Sequence, residues 1–385
     1  MSITPIPTPG QPYSLISNTR IPLLNSYLNS VPKHEPLAVI YDDDPDGICA
    51  AAIFYQTLKK LGLQNIFIFP KAEETKVFTQ EFLQRLYDEK VKTIFCLDFD
   101  PISWNMFQAP SLEVLPFGLV IIDHHKDMTK VYDKSVSMYN RLFIHPSNVS
   151  NCDNPSQYCT SKLTYDICKN VARIDELEWK ILPGMIGDMN IIAWSQYIQS
   201  QALKHGISID TSRKDAFFES PFGQFGAIVA FEAAKGAVDL HKAFELLCDA
   251  TNIQDLLQKS PDSAVVKQEY DKLVNHYQDM GTYDQASNLF VIELKGDFML
   301  AGYLSSIVSY IHDRYQFLLY QDAGDGYYHI SVRGQHPKKH LGDLMRQIST
   351  GFEGANGGGH APAAGARCKI ADIDRFLATV KQALV

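Results

Sequence analysis

The fold is decided by the stretch Gly118-Leu119-Val120-Ile121-Ile122-Asp123-His124-His125, in which five small or apolar residues lead directly into a carboxylate and two imidazoles. A continuous apolar run of this length is typical of a strand that is buried on both faces of a parallel sheet, and the strand is predicted at Leu119–Ile122. In open α/β sheets the ligand crevice lies at the carboxyl ends of the strands. The polar triplet at 123–125 is therefore a candidate functional site.

Two earlier apolar runs also end in acidic residues. Leu37–Tyr41 is followed by Asp42-Asp43-Asp44-Pro45-Asp46-Gly47, and Thr93–Leu97 is followed by Asp98. Because the carboxyl ends of parallel strands meet at one edge of a sheet, these acids are expected to converge with the triplet at 123–125. The other predicted elements of this region are a strand at Asn65–Phe69 and helices at Ile48–Leu61 and Gln80–Lys90.

The whole chain is predicted to be an α/β protein of three segments. These are an N-terminal parallel-sheet domain at residues 1–195, a helical segment and linker at 196–284, and a smaller mixed α/β C-terminal domain at 285–385. The pattern already turns helical from about Ser161, inside the N-terminal domain, and there Gly187-Asp188 places another acid beside a small-residue turn. The C-terminal domain is predicted to contain strands at Leu289–Leu294, Tyr315–Tyr320 and Tyr327–Arg333, a glycine-rich segment at Gly354–His360 and a final helix at Ile373–Leu384.

The composition excludes several classes of protein. The chain has 385 residues, of which 45% are hydrophobic, so it can form two cores. Its apolar runs are nevertheless far shorter than the roughly 20 residues of a membrane helix. Seven cysteines without CxxC pairs and the lack of a secretory signal favour a cytoplasmic protein without a disulfide framework. The net charge of −9 disfavours general affinity for long nucleic acids and favours a short or small anionic substrate.

The acidic strand ends are expected to bind cations. Neighbouring carboxylates disfavour joint ionisation, and a carboxylate that leaves a buried strand, such as Asp98, is costly unless it is paired or metal-bound. Imidazoles beside carboxylates suit manganese, iron or zinc better than magnesium. Two simpler interpretations remain open at this point. Asp-Pro-Asp-Gly at 44–47 is also a sequence that favours a turn, and Asp98 could cap a following helix.

The ordered motifs resemble those of the DHH phosphoesterase family, which includes the RecJ exonucleases, nanoRNA/pAp phosphatases and cyclic dinucleotide phosphodiesterases. The resemblance covers nearly the whole chain and ends in the glycine-rich signature of the C-terminal domain that accompanies this family. The matching motifs are Asp44-Pro45-Asp46-Gly47, Leu97-Asp98, Asp123-His124-His125, Gly187-Asp188 and Gly357-Gly358-Gly359-His360 followed by Ala364-Gly365.

The resemblance implies a two-metal catalytic site with a bridging carboxylate. Two divalent ions about 3.5–4 Å apart can lower the pKa of a shared water towards neutrality, so that hydroxide becomes the nucleophile. Carried over position by position, the family pattern places Asp44 on one ion, Asp46, His124 and Asp188 on the other, Asp98 as the bridge, and His125 against the scissile phosphate.

One position departs from the family pattern. Many relatives carry a histidine four residues before the equivalent of Asp44, where this chain has Ile40. Asp42 is a further candidate metal ligand that could replace it, or water could fill the position.

The C-terminal domain is expected to bind substrate phosphate. Glycines 357–359 let the backbone approach an anion closely, and His360 adds a donor. Arg333 can grip a phosphate with two parallel hydrogen bonds. Without the family, a flexible loop and an ordinary surface arginine would also explain these residues. The resemblance implies that Gly357, Gly358, Gly359, His360 and Arg333 hold substrate across an interdomain cleft.

The expected function is hydrolysis of short oligonucleotides or small nucleotides by a phosphoesterase or phosphodiesterase with two Mn²⁺ ions, for which Mg²⁺ or Co²⁺ could substitute. RNA, DNA, pAp and cyclic dinucleotides remain open as substrates. Two alternatives are a RecJ-like single-strand exonuclease on longer DNA and a weakly catalytic nucleic-acid-binding or scaffold protein, which Ile40 would favour. A homodimer is a candidate assembly, because relatives are often dimers.

Overall fold

The chain divides into two compact units, Met1–Pro261 and Asp262–Val385, called the N-terminal and C-terminal units below. The computed structural model describes residues 11–71, 78–102, 117–125, 141–235, 237–260, 263–295, 300–359 and 361–385. The three-segment division at residues 195 and 284 stays a prediction.

The N-terminal unit contains a five-stranded sheet in which every neighbouring pair of strands is parallel, as predicted. Two strands have the predicted bounds, one is shifted by a residue, one begins a residue earlier, and the fifth was not predicted. In the order β2-β1-β3-β4-β5, the strands are β1 Leu37–Tyr41, β2 Ile66–Pro70, β3 Thr93–Leu97, β4 Gly118–Ile122 and β5 Arg141–Ile144.

The helix after β1 begins earlier than predicted, at Pro45 instead of Ile48. Asp44 caps it, because its carboxylate accepts a hydrogen bond from the Gly47 N–H at 2.9 Å, and proline is well suited to the first helical position. The α-helices of this unit are Arg20–Ser30, Pro45–Lys60, Gln80–Asp88, Pro146–Val149, Thr160–Cys168, Ile181–Gly187, Ile191–Lys204, Asp215–Glu219, Pro221–Lys235, Ala237–Asp249 and Ile253–Lys259, with 3₁₀ turns at Pro155–Gln157 and Asp175–Lys180.

The strands β1, β3 and β4 end at the same level of the sheet. The first acid after each strand continues the hydrogen-bond ladder, so the three acids lie side by side at one edge, as predicted. Their backbone N–H groups donate to the next strand: Asp42 to Leu97 O at 3.1 Å, Asp98 to Ile122 O at 2.9 Å and Asp123 to Ile144 O at 3.1 Å.

The C-terminal unit contains a six-stranded mixed sheet, which confirms the predicted mixed α/β class. Strands β7 and β8 are parallel, and the other neighbouring pairs are antiparallel. In the order β10-β11-β9-β8-β7-β6, the strands are β6 Gly281–Asp284, β7 Leu289–Leu294, β8 Gln316–Asp322, β9 Tyr327–Gly334, β10 Asn356–Gly359 and β11 Ala363–Lys369.

Helices cover both faces of this second sheet. Successive residues of β7 alternate between two apolar cores: Leu289 packs in the cluster that contains Phe376, and Phe290 packs in the cluster that contains Val308. None of the helices in the described part of the chain is long and apolar enough to cross a membrane. The helices of this unit are Ser263–Met280, which has a kink at His276, Ala301–Ile311, Leu341–Ser349 and Ile373–Leu384, with a 3₁₀ turn at Ile370–Asp372.

The glycine-rich segment is an edge strand, which corrects the expectation of a loop. The strand β10 pairs with β11, and the helix Leu341–Ser349 lies close against it. A β-carbon at Gly357 would lie 2.7 Å from the Met345 carbonyl oxygen and 2.6 Å from the Ser349 Oγ, whereas one at Gly358 would meet its nearest neighbour, Arg346, at 3.7 Å. Gly357 is therefore required by packing, and Gly358 has room for a side chain.

Substitution of the two adjacent glycines by alanine should affect stability to different extents. Gly357→Ala should lower the free energy of unfolding by about 1–3 kcal/mol, since the helix backbone would have to move away from the strand. Gly358→Ala is the matched control and should change stability by less than about 0.5 kcal/mol. Denaturant unfolding of the full chain measures both values, and equal stability of the two variants would contradict the prediction.

Candidate metal centre

Four of the predicted metal ligands come together in two overlapping groups at the carboxyl edge of the parallel sheet, whereas Asp44 belongs to neither group among the described residues. Asp46, His124 and Asp188 form one group, and Asp98, His124 and His125 form the other, with ligand atoms that lie within 4.8 Å of one another in each. His124 belongs to both. Its Nε2 lies 3.5 Å from the Asp98 Oδ1 and 3.7 Å from the Asp188 Oδ2, so this imidazole lies at the centre of the cluster.

Several buried polar atoms of this cluster have no hydrogen-bond partner within the described part of the chain. His124 and Asp98 are 3% and 1% exposed. Among the residues that the structure describes, neither ring nitrogen of His124 nor the Asp98 Oδ2 has a partner. Each buried polar atom left unpaired costs about 1–3 kcal/mol. A divalent cation would satisfy these atoms, and a set of carboxylate oxygens and imidazole nitrogens suits manganese, iron or zinc. The residues therefore fit a metal.

Asp46 is held by the first turn of a helix from elsewhere in the chain. Its Oδ2 accepts a hydrogen bond from the Thr160 N–H at 2.6 Å, and its Oδ1 accepts one from the Ser161 N–H at 3.0 Å. A β-carbon at Gly184 would lie 2.9 Å from the Asp46 Oδ1. The carboxylate is thus fixed by backbone donors on one side and by a close glycine on the other.

Asp98 has an uncommon backbone conformation, with φ at 69° in the left-handed region. Non-glycine residues rarely adopt this conformation, and such residues cluster at functional sites where the surrounding structure holds them. The Asp98 Oδ1 accepts a hydrogen bond from the Thr160 Oγ1 at 2.7 Å. Only its Oδ2 is left without a partner among the described residues.

Asp188 lies at the C-terminal end of the helix Ile181–Gly187 and accepts a hydrogen bond from the Asn190 side chain. The partial negative charge of a helix C-terminus disfavours a carboxylate there and favours a cation. This position adds to the negative potential of the cluster.

Burial and mutual repulsion change the protonation of the ligands. Burial, then the charges of Asp42 and Asp46, raises the pKa of Asp44 to about 6. Burial and the neighbouring carboxylates likewise raise the pKa of Asp98 and Asp188 well above the usual range. Without a metal, these carboxyl groups hold protons more strongly than free aspartates do.

The pKa values of the two histidines of the triplet are shifted in opposite directions. Burial, followed by the charge of His125, lowers the pKa of His124 to about 4, so this imidazole is neutral and can offer a lone pair. Burial also acts to lower the pKa of His125, but the hydrogen bond to Asp123 and its charge outweigh this effect and raise it to about 9. The His125 Nδ1 lies 2.7 Å from the Asp123 Oδ1. His125 is therefore a cation at neutral pH, which favours contact with phosphate over metal coordination.

The predicted substrate-binding residues that the structure describes lie on β9 and β10, two strands of the C-terminal unit that are separated by β11. Arg333 pairs in register with Ala363 of β11, and Gly359 of β10 pairs with Ala364. The Arg333 guanidinium donates to the Ser306 Oγ at 3.1 Å and to the Ala364 carbonyl oxygen at 2.9 Å, both neutral acceptors. Burial lowers its pKa to about 10, so it stays charged. His360, the fifth predicted residue, lies outside the described residues.

The comparisons with known proteins agree with these motifs. Residues 36–189 match the DHH family, N-terminal domain, and residues 288–385 match the DHHA1 domain. The chain belongs to the DHH family. This confirms the resemblance that the sequence predicted, and the sequence has no significant match among curated proteins.

Solved structures show the same fold at low sequence identity. RecJ from Thermus thermophilus in complex with Mn²⁺ has a TM-score of 0.65 and 15% identity, covering 96% of this chain and 55% of that one. An exonuclease RecJ bound to manganese has a TM-score of 0.65 and 16% identity, covering 96% and 95%. CDC45 from Entamoeba histolytica has a TM-score of 0.56 and 12% identity, covering 94% and 98%. The DHH chain thus spans about half the length of the Thermus thermophilus RecJ.

Ile40, at the position where the family pattern predicts a histidine, points away from the cluster. Ile40 is fully buried and packs in an apolar core with Ala38 and Cys96. Asp42 belongs to neither metal-ligand group, and its Oδ1 forms an ion pair with Lys71. The role of Asp42 as a metal ligand stays a prediction.

Sequence reasoning missed Lys71, His145, Thr160 and Ser161. Lys71 and His145 directly follow β2 and β5. Lys71 was missed because the predicted strand ends one residue too early, and His145 was missed because β5 was not predicted. The His145 Nε2 lies 3.1 Å from the His125 carbonyl oxygen and helps to hold the triplet. No sequence signal marks Thr160 or Ser161, because their contacts with Asp46 span more than a hundred positions.

The raised pKa values predict that metal binding by this DHH protein releases protons. Asp44 has to lose its proton to coordinate a cation, so the affinity for Mn²⁺ should strengthen between about pH 5 and pH 7.5, by about tenfold per pH unit for each proton released. Calorimetric titration in buffers of different ionisation enthalpy measures the affinity and the proton count. An affinity that does not change with pH would contradict the prediction.

Asp44→Asn tests how the charge of Asp44 affects the stability of the metal-free protein, since asparagine keeps the helix cap and removes the charge. A raised folded pKa stabilises the native state below the unfolded value of about 3.9, and this contribution is lost as the pH rises through about 6. In EDTA, the melting temperature of the variant should therefore exceed that of the wild type by a margin that grows from about pH 5 to pH 7.5.

Proposed function

We propose that this DHH-family protein is a metal-dependent phosphoesterase or phosphodiesterase that hydrolyses short oligonucleotides or small nucleotides. The observation that supports this proposal most strongly is the buried cluster around His124, whose ring nitrogens have no hydrogen-bond partner among the described residues. Two RecJ structures of the same fold contain manganese, which favours two Mn²⁺ ions here, with Mg²⁺ or Co²⁺ as substitutes.

The proposed ligands divide between the two ions according to the family pattern, and the group of Asp46, His124 and Asp188 supports one of the two ions. When bound, two divalent ions activate water for attack on phosphorus and offset the charge of the phosphoryl oxygens. The backbone donors of Thr160 and Ser161 keep the Asp46 carboxylate in place for this task. Asp46, His124 and Asp188 would hold one ion, Asp44 the other, and Asp98 would bridge both.

His125 is proposed to contact the scissile phosphate. Its pKa of about 9 keeps a proton on the ring at neutral pH, and its side chain is 40% exposed. Asp123 orients the ring through its contact with Nδ1. A charged donor of this kind stabilises a phosphoryl oxygen by a short, strong hydrogen bond.

Arg333 and the edge strand β10 are proposed to bind a second part of the substrate. Within the described part of the chain, no carboxylate lies within 4.0 Å of the Arg333 guanidinium, so a half-buried positive charge lacks a charged partner there. An edge strand also presents backbone N–H groups that no neighbouring strand uses. Both features suit a phosphate group of a nucleotide.

The preference for short substrates follows from the net charge of −9, which weakens attraction to a long polyanion. The alternative is a RecJ-like single-strand exonuclease on longer DNA, and competition between short and long labelled strands separates the two. A cytoplasmic location is part of the proposal. The comparisons give no support to a homodimer, which stays a prediction.

A second candidate function is that of a weakly catalytic nucleic-acid-binding or scaffold protein. Ile40 favours it, since this position faces the apolar core and cannot coordinate a metal. The ion pair between Asp42 and Lys71 favours it as well, because it engages an acid that could otherwise replace the missing histidine.

A substrate panel with Mn²⁺ tests the proposed activity. The wild type should release mononucleotides from short RNA or DNA, or phosphate from pAp, and Asp98→Ala should lower kcat by at least about a thousandfold, because the bridging ligand is lost. Asp100→Asn is the matched control: Asp100 is equally buried, belongs to neither metal group and keeps an acceptor for the Ile102 N–H. No turnover of any substrate by the wild type would favour the scaffold function.

The role of Arg333 predicts a change in substrate affinity. Arg333→Lys keeps the charge but loses the two parallel hydrogen bonds, so KM for a phosphorylated dinucleotide should rise about tenfold with little change in kcat. Steady-state kinetics measure both constants. Arg375→Lys, at an exposed arginine of the final helix, is the control and should leave both unchanged, and an unchanged KM for Arg333→Lys would exclude the proposed contact.

A further inference from the structure

Thr160 donates hydrogen bonds to two different carboxylates of the cluster. Its backbone N–H donates to the Asp46 Oδ2 at 2.6 Å, and its hydroxyl donates to the Asp98 Oδ1 at 2.7 Å. Thr160 is fully buried at the start of the helix Thr160–Cys168. One residue therefore joins a member of each metal-ligand group.

The hydroxyl has a specific task because the backbone of Asp98 leaves the carboxylate orientation open. The left-handed φ of 69° directs the β-carbon, but the carboxylate can still turn about its side-chain bonds. The hydrogen bond from the hydroxyl occupies Oδ1 and leaves Oδ2 as the oxygen without a partner among the described residues. The Asp46 oxygens, in contrast, are held by backbone donors that any residue at 160 and 161, proline apart, would supply.

We propose that Thr160 is a positioning residue for the metal pair. Its hydroxyl fixes the Asp98 carboxylate in the orientation in which it bridges the ions, while its backbone N–H holds Asp46. This inference rests on the proposed two-metal function. Residues that orient metal ligands through hydrogen bonds commonly change metal affinity by about 10- to 100-fold when they are replaced. The hydroxyl of Thr160, and not the volume of its side chain, determines its effect on metal affinity.

Mn²⁺ binding to the full chain tests the proposal, with free Mn²⁺ counted by electron paramagnetic resonance. Thr160→Val removes the hydroxyl at nearly constant volume and should weaken Mn²⁺ binding by about 10- to 100-fold. Thr160→Ser keeps the hydroxyl and should bind within about threefold of the wild type. If Thr160→Val does not fold, Thr160→Ala takes its place, since it lacks the hydroxyl and adds no bulk.

Thr57→Val is the matched control for a general loss of packing. Thr57 is also fully buried in a helix, and its hydroxyl donates to the Ile53 carbonyl oxygen at 2.7 Å. This variant should bind Mn²⁺ as tightly as the wild type, even if its melting temperature in EDTA is lower. Melting in EDTA reports the stability of each variant without metal, so a folding defect is separated from a binding defect.

The outcomes distinguish this proposal from the proposed function. If the wild type binds Mn²⁺ and Thr160→Val binds equally tightly, the positioning role is overturned and the two-metal function stands. A loss of affinity in Thr57→Val as large as that in Thr160→Val would also overturn the positioning role, because it would reflect general loosening. If the wild type binds no Mn²⁺, the two-metal function itself is wrong and the inference falls with it.

Discussion

The main constraint on the N-terminal unit is the repulsion among carboxylates at one edge of its parallel sheet, which the surrounding structure has to offset. Burial, and then the charges of neighbouring carboxylates, raises the pKa values of Asp44, Asp98 and Asp188 above the usual range. Such a cluster opposes folding unless a cation or a set of donors offsets the charge. The neighbouring elements supply donors for some oxygens and leave others unpartnered within the described residues, which is the arrangement expected of a metal site.

The donors come from parts of the chain that are distant in sequence. The helix that begins at Thr160 points its first N–H groups at Asp46, where the positive end of a helix favours an anion. His145 holds the backbone of the triplet, and Asp123 sets the charge of His125. The proposed metal ligands are thus oriented by a surrounding layer of hydrogen bonds, and a layer of this kind contributes to how tightly a cation is held.

The sequence predicted the parallel sheet well because its strands are continuous apolar runs that end in polar residues. The strands Leu37–Tyr41 and Thr93–Leu97 have the predicted bounds, and the acids after them converge as expected. The sequence did not predict the edge strand of the glycine-rich segment, because a run of glycines carries little information about strand pairing. Gly357 and its neighbours suggested a loop because glycine has no preference for a strand, yet a close helix backbone requires glycine in an edge strand there.

The sequence by itself determined the family, the fold class and the candidate residues for the chemistry, because these follow from local patterns: apolar runs, the acids after them and the Asp-His-His triplet. Only the tertiary structure decided which of these residues share a cluster and how each is charged. It placed Ile40 in the apolar core, paired Asp42 with Lys71 and joined Asp46 and Asp98 through Thr160. The physical reason is that burial and long-range hydrogen bonds arise from packing between segments distant in the chain.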